Sequence, residues 1–332
     1  MSPLNFAKFL FSFLFLMHFA GHAGVSRFYT VDRYGLPVAD EPEFIKEITD
    51  ITSQIDALRI SSVNVSVIIK PESDNASFDS GSVIEIPRTM VLYNHMQTQP
   101  SYKTTEDALA VYAHEYGHAV FDAHIVSIVP EYAKLKQQKQ DISNLSVSVF
   151  QKNMTEEQIK VLKNQVSTLE KQLLADKELV RASRLTLPYH EVFADTIAVF
   201  VFNNKSAIYE ALYYEEPYEP GIGGGFHLPG FGGGVANPHD PNRHIVGRDF
   251  SRIHNVNEWK NNSEHGLFSP LRSVIGSDEC WPRNTAEQQV RLKHLLQLLL
   301  KKIKKHNEDK TFPEINENIE LINEYRKACR SL

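Results

Sequence analysis

Apolar positions along this chain recur with two different periods. From Glu41 to Leu58, Phe44, Ile45, Ile48, Ile51, Ile55 and Leu58 return at three- and four-residue steps, which predicts an amphipathic helix. Val63 to Lys70 (VNVSVIIK) switches to every second position and predicts a strand. A polar run, SDNASFDSGS, separates it from VIEIP, Val83 to Pro87, a second strand that Pro87 is expected to end. Thr104-Thr105-Glu106-Asp107 then joins hydroxyl caps to early acids and opens a helix. Between about Pro130 and Arg184 the chain is rich in Lys, Gln and Glu. Ile159, Leu162, Val166, Leu169 and Leu173 recur there at heptad-like intervals. This stretch predicts two long helices joined near NMTEEQ, with Thr155 capping the second, folded as an antiparallel hairpin. Pro188 to Phe202 (PYHEVFADTIAVFVF) reads as a further helix with a buried face. Residues 217–244 hold too many glycines for regular structure and read as a long loop. Thr285 to Lys305 and Pro313 to Arg330 are amphipathic helices that close the chain.

Composition adds little to this pattern. Of 332 residues, 42% are apolar and 23% charged, as in an ordinary folded protein, and the net charge of -6 gives no reason to expect nucleic acid. The ends of the chain say more. MSPLNFAK, then FLFSFLFLMHFA, then AGHAG follows the order of a secretory signal peptide, assigning residues 1–23 to a leader and 24–332 to the mature protein. The apolar run is short for a bilayer span, and an uncleaved anchor, the one route to membrane attachment, is the rival reading. A secreted or periplasmic location follows. In such a compartment Cys280 and Cys329 are expected either to form one disulfide or to lie as two buried thiols.

The candidate chemistry lies in VYAHEYGHAVFDAH, Val111 to His124. Residues four apart share one face of a helix, so His114 and His118 can point ring nitrogens at one metal ion. Glu115 lies about 100° round the helix, placed to act as a base on water at that metal. A chance HExxH would sit on an exposed helix. Here LAVYA before the motif and AVF after it make the helix apolar, and buried histidines need partners. Gly117 leaves room for close backbone approach.

Two residues compete to be the third ligand. His124 lies six positions after His118, about 9 Å further along an unbroken helix, and reaching the metal would need a sharp break where this chain has Phe121. The alternative is Glu191 in HEVFAD. Asp195 lies one turn on and can accept the far N–H of a ligand histidine, fixing its tautomer. HEYGHA followed by EVFAD resembles the gluzincin zinc metallopeptidases, the clan that includes thermolysin. His124 would instead resemble the metzincin pattern, without the glycine that pattern has at position 121. The gluzincin resemblance covers the two motif helices and not the hairpin, the glycine loop or the C-terminal helices. The 72 residues between His118 and Glu191 also exceed the thermolysin-type spacing.

The resemblance implies Zn2+ held by His114, His118 and Glu191, with Glu115 catalytic and Asp195 behind a ligand. It also implies a downstream donor for the developing oxyanion. His239 and His244 are the first candidates, with His227, Arg243 and Arg248 nearby. The expected fold is α+β, a mostly helical zincin-type domain. A small antiparallel sheet is expected against the helix of His114, with VIEIP as a candidate edge strand. The hairpin insertion spans about 126–186 and a helical C-terminal region about 283–332. The expected activity is peptide hydrolysis on a peptide or protein substrate. The alternatives are a zinc hydrolase of a non-peptide amide and a binding protein with structural zinc. The 130–184 hairpin is either a solvated face or a surface for a protein partner.

Overall fold

The computed structural model describes residues 24–61, 63–92, 100–151, 154–213 and 245–330. It is a mixed α+β structure, mostly helical, with one small sheet of five strands. The chain opens with β1 (Gly24–Thr30), α1 (Pro42–Ala57) and β2 (Asn64–Ser73). The sequence pattern had marked α1 and β2. It passed over β1, which has no clean alternation. Phe44, Ile48, Ile51 and Ile55 form the buried stripe of α1. Because α1 carries the chain back, β1 and β2 pair in parallel.

Next come the two-residue β3 (Ser77–Phe78), then β4 (Val83–Leu92) and the short β5 (Ser101–Tyr102). The strand order is β1-β2-β4-β3, with β5 paired to the far end of β4. β4 runs parallel to β2 and antiparallel to β3 and β5. The expected antiparallel sheet is therefore corrected: its three long strands are parallel. After β2 the chain returns along the outer side of β4 as β3, then enters β4 in the direction of β2. VIEIP is consequently an inner strand and β3 is the edge. Pro87 does not end β4, which continues to Leu92. β3 accompanies β4 only at Ile84 and Glu85, so at Pro87 that side of the ladder has already ended.

Helix α2 (Thr105–Ile125) carries the HExxH motif. Thr104 and Asp107 close a capping box at its start, as the hydroxyl and acid pattern predicted. The hairpin is α3 (Pro130–Gln151) and α4 (Glu156–Ala175), the latter capped by Thr155. Both helices of the hairpin pack into the core. Tyr132, Leu135 and Ile142 of α3 and Leu173 of α4 belong to the main core. Val147 covers the other face of the sheet with Val31, Ile68 and Val83. The break before the next helix falls at Asp176, whose carboxylate accepts from the Glu178 and Leu179 amides. α5 (Lys177–Val201) then runs straight through Pro188.

The remaining helices are α6 (Ala207–Leu212), α7 (Ser269–Ile275), α8 (Thr285–Asp309) and α9 (Glu317–Arg330), with a 3-10 turn at Val246–Arg248. α8 and α9 match the two predicted C-terminal helices. Cys280, ahead of α8, is disulfide-bonded to Cys329 of α9. No helix of the described residues is long and apolar enough to cross a membrane.

Candidate metal centre

The site forms where α2 and α5 cross. Gly117 makes the crossing close: a Cβ there would stand 2.9 Å from the Cα of Ala194. Larger side chains at this contact would separate the helices. The close approach sets the histidine face of α2 against the acid face of α5. His114 Nε2 and His118 Nε2 lie 2.9 Å apart. Glu191 Oε2 is 3.6 Å from the first, and Glu191 Oε1 is 3.5 Å from the second. Three ligands held at about 2.0–2.1 Å round a tetrahedral ion stand about 3.3 Å apart. The Glu191 contacts use different oxygens, one toward each histidine, and all three distances are of that order, so these buried His, Glu and Asp groups could hold a metal ion.

The protonation states also suit a metal. Burial, with Arg248 and His118 adding to it, lowers His114, and burial lowers His118, so both rings are neutral at pH 7. Burial alone would raise Glu191. His118, His265, His114 and Arg248 outweigh it and hold the carboxyl well below its ordinary range. Neutral imidazoles and an ionised carboxylate are the forms in which these groups bind metal.

Asp195 stands behind His114, with Oδ1 2.9 Å from Nδ1, which is the far-nitrogen contact expected from the ExxxD spacing. It is fully buried and lies between two guanidiniums. Arg248 donates to Oδ1 through Nε at 3.1 Å and Nη2 at 2.6 Å, and Arg272 donates to Oδ2 through Nε at 2.8 Å. Burial would raise Asp195, and the two arginines hold it down instead. The same Arg248 Nη2 lies 3.1 Å from both ring nitrogens of His114 and 3.5 Å from Glu191 Oε2. Asp195 therefore compensates a cation that borders the ligand atoms. Arg272 also donates to the His265 carbonyl, and the His265 ring meets Glu191 Oε2 at 2.8 Å through Nδ1.

Glu115 lies against the edge strand. Its Oε2 accepts the Phe78 amide at 2.7 Å. Burial raises its pKa, opposed in part by His114 and the Phe78 amide. A cavity of about 330 Å³ joins these groups. Its lining includes Phe78 of the edge strand, Tyr132 of the hairpin, His190 of α5, Arg248 and His265.

The structure thus brings together His114, Glu115, His118, Glu191 and Asp195. His124 is not among the residues lining the cavity. α2 runs unbroken through Phe121, leaving His124 half-buried near the helix end. His239 and His244, with His227 and Arg243, lie outside the described residues. Arg248, a secondary candidate in the sequence, is the one among the described residues that reaches the site. Tyr132, His190, His265 and Arg272 carried no recognisable spacing. His190 had one local sign, standing directly before Glu191 in a helix with an apolar face. Comparison with protein-family models, with curated proteins and with solved structures returned no match.

Proposed function

We propose that the chain is an exported zinc metallopeptidase of gluzincin type, in which His114, His118 and Glu191 hold the ion. The observation that carries this reading is the convergence of those three ligands with Glu115 beside them and Asp195 behind His114. Zinc, when bound, supplies a Lewis acid that polarises a carbonyl and acidifies water. Glu115 takes the proton from the attacking water. Its Oε2 is held by the Phe78 amide, which leaves Oε1 to receive the proton and return it to the departing nitrogen. Burial brings the Glu115 carboxyl nearer to neutrality, as a base used at pH 7 requires. Asp195 keeps the His114 proton on Nδ1 and its Nε2 lone pair toward the ion. Arg248 is the charged donor on the cavity wall available to negative charge developing on the substrate carbonyl. The leader-like segment 1–23 and the Cys280–Cys329 bond support export.

The test is metal analysis of the purified chain together with peptide-library cleavage by wild type and Glu115→Gln. The expected result is one zinc per chain in both proteins, with cleavage in wild type alone. A wild-type chain that takes up no zinc, or a Glu115→Gln variant that cleaves normally, would overturn the reading.

A further inference from the structure

A second buried polar cluster adjoins the site and has no part in the steps above. Asp122 of α2, Tyr132 and Lys136 of α3 and His190 of α5 meet beside the cavity, which Tyr132 and His190 line. Lys136 Nζ donates to Asp122 Oδ2 at 2.7 Å, and the Tyr132 hydroxyl makes a short hydrogen bond to Asp122 Oδ1. His190 Nε2 lies 3.0 Å from the Tyr132 oxygen and 3.3 Å from Asp122 Oδ1.

The proton positions follow from these contacts. A tyrosine has one hydrogen to give, and the carboxylate is both its closer and its stronger acceptor. Burial and Asp122 hold the Tyr132 hydroxyl protonated. Its hydrogen therefore points to Asp122, and both oxygens near His190 Nε2 are acceptors. Nε2 must carry the ring proton, leaving Nδ1 as a bare lone pair. The ring lines the cavity, and Nδ1 takes no hydrogen bond from the described residues. A ring this deeply buried, locked on one side and open on the other, offers one hydrogen-bond acceptor in a fixed place.

We infer that His190 contacts the substrate directly, its Nδ1 accepting a main-chain amide N–H of a peptide lying in the cavity, with Tyr132 and Asp122 as positioning residues that lock the ring. This rests on the peptidase reading and extends it. The inner helix of the hairpin becomes part of the substrate wall, since it supplies the hydroxyl and the ammonium that hold Asp122 in place. The Lys136 ammonium also stands 4.8 Å from the centre of the Phe78 ring, which ties the cluster to the edge strand.

The test uses zinc-loaded full chain and one cleaved peptide in which each amide N–H flanking the scissile bond is replaced in turn by an ester oxygen. In wild type, one replacement is expected to cost roughly 3- to 10-fold in kcat/KM, mainly through KM. On His190→Phe the same replacement should cost less than about twofold, with zinc content unchanged. His190→Asn, which keeps an acceptor near Nδ1, should recover part of the difference, and Tyr132→Phe should lose part of it. Equal costs on wild type and His190→Phe at every position would overturn the inference and leave the peptidase reading standing. Loss of zinc from His190→Phe would overturn it too, by making the ring a support for Glu191. A wild type that binds no zinc and cleaves no peptide removes both.

Discussion

Substituting alanine for Gly117 separates the fold from the site. Taken as helix propensity alone, Gly117→Ala favours α2 by about 0.8–1.0 kcal/mol. The new Cβ would stand 2.9 Å from Ala194 Cα and 3.2 Å from Ala194 Cβ, and the first is backbone that cannot rotate away. Ordinary contact begins near 3.4 Å, so α2 and α5 must part by at least about 0.5 Å. Overpacking of this kind costs about 1–3 kcal/mol, leaving a net loss of roughly 0–2 kcal/mol, and the metal-free protein should melt within several degrees of wild type. The site is less tolerant. His114 and His118 ride on one helix and Glu191 on the other, and metal–ligand distances accept only about ±0.2 Å. Zinc affinity should fall about 10- to 100-fold, the size of loss that a displaced supporting contact produces. Competition against a chelating dye of known affinity reads the change, with thermal melting of the metal-free protein in parallel. Wild-type zinc affinity in a folded Gly117→Ala protein would show that the helix crossing does not position the ligands.

Three other outcomes are expected. Glu191→Ala should lose most zinc affinity while His124→Ala keeps it; an empty site in the His124 variant alone, measured by metal analysis, would restore the metzincin-like alternative. Asp195→Asn should weaken zinc binding about 10- to 100-fold, and a chelator titration matching wild type would show that the buried carboxylate does not orient His114. Cys280→Ser should destabilise the chain by about 4 kcal/mol on the chain-entropy estimate for a 49-residue separation, read as a lower denaturation midpoint; an unchanged midpoint would mean that the disulfide adds nothing to stability.

Local structure was largely legible in the sequence. The capping box at Thr104, the Thr155 cap, the stripe of α1 and the helix–turn–helix shape of the hairpin each depend on residues within a turn or two of one another. The same holds for the shared face of His114 and His118 and for the one-turn spacing of Glu191 and Asp195. Helical period alone sets these, so a linear reading finds them. It fails locally where two signals compete: Pro188 reads as a helix start, but Asp176 offers the better cap twelve residues earlier.

What the linear chain left undecided was strand direction and, beyond the two motif helices, the distant partners of the site. Strand propensity is indifferent to whether neighbours run parallel, and only the α1 crossover and the outside return of β3 made the long strands parallel and β3 the edge. Glu191 was named from the sequence, but its meeting with the two histidines depends on the Gly117–Ala194 approach, a contact between helices whose motifs are separated by the whole hairpin. The groups round Asp195 and Glu191 come from further still: Arg248 is 134 residues from His114, Arg272 is 77 from Asp195 and His265 is 74 from Glu191. None has a spacing rule to betray it, because no secondary structure joins it to its partner. Burial brings such residues together, since an unpaired carboxylate or guanidinium in the core costs several kcal/mol, and the fold meets that demand with whichever charged residues its topology places within reach.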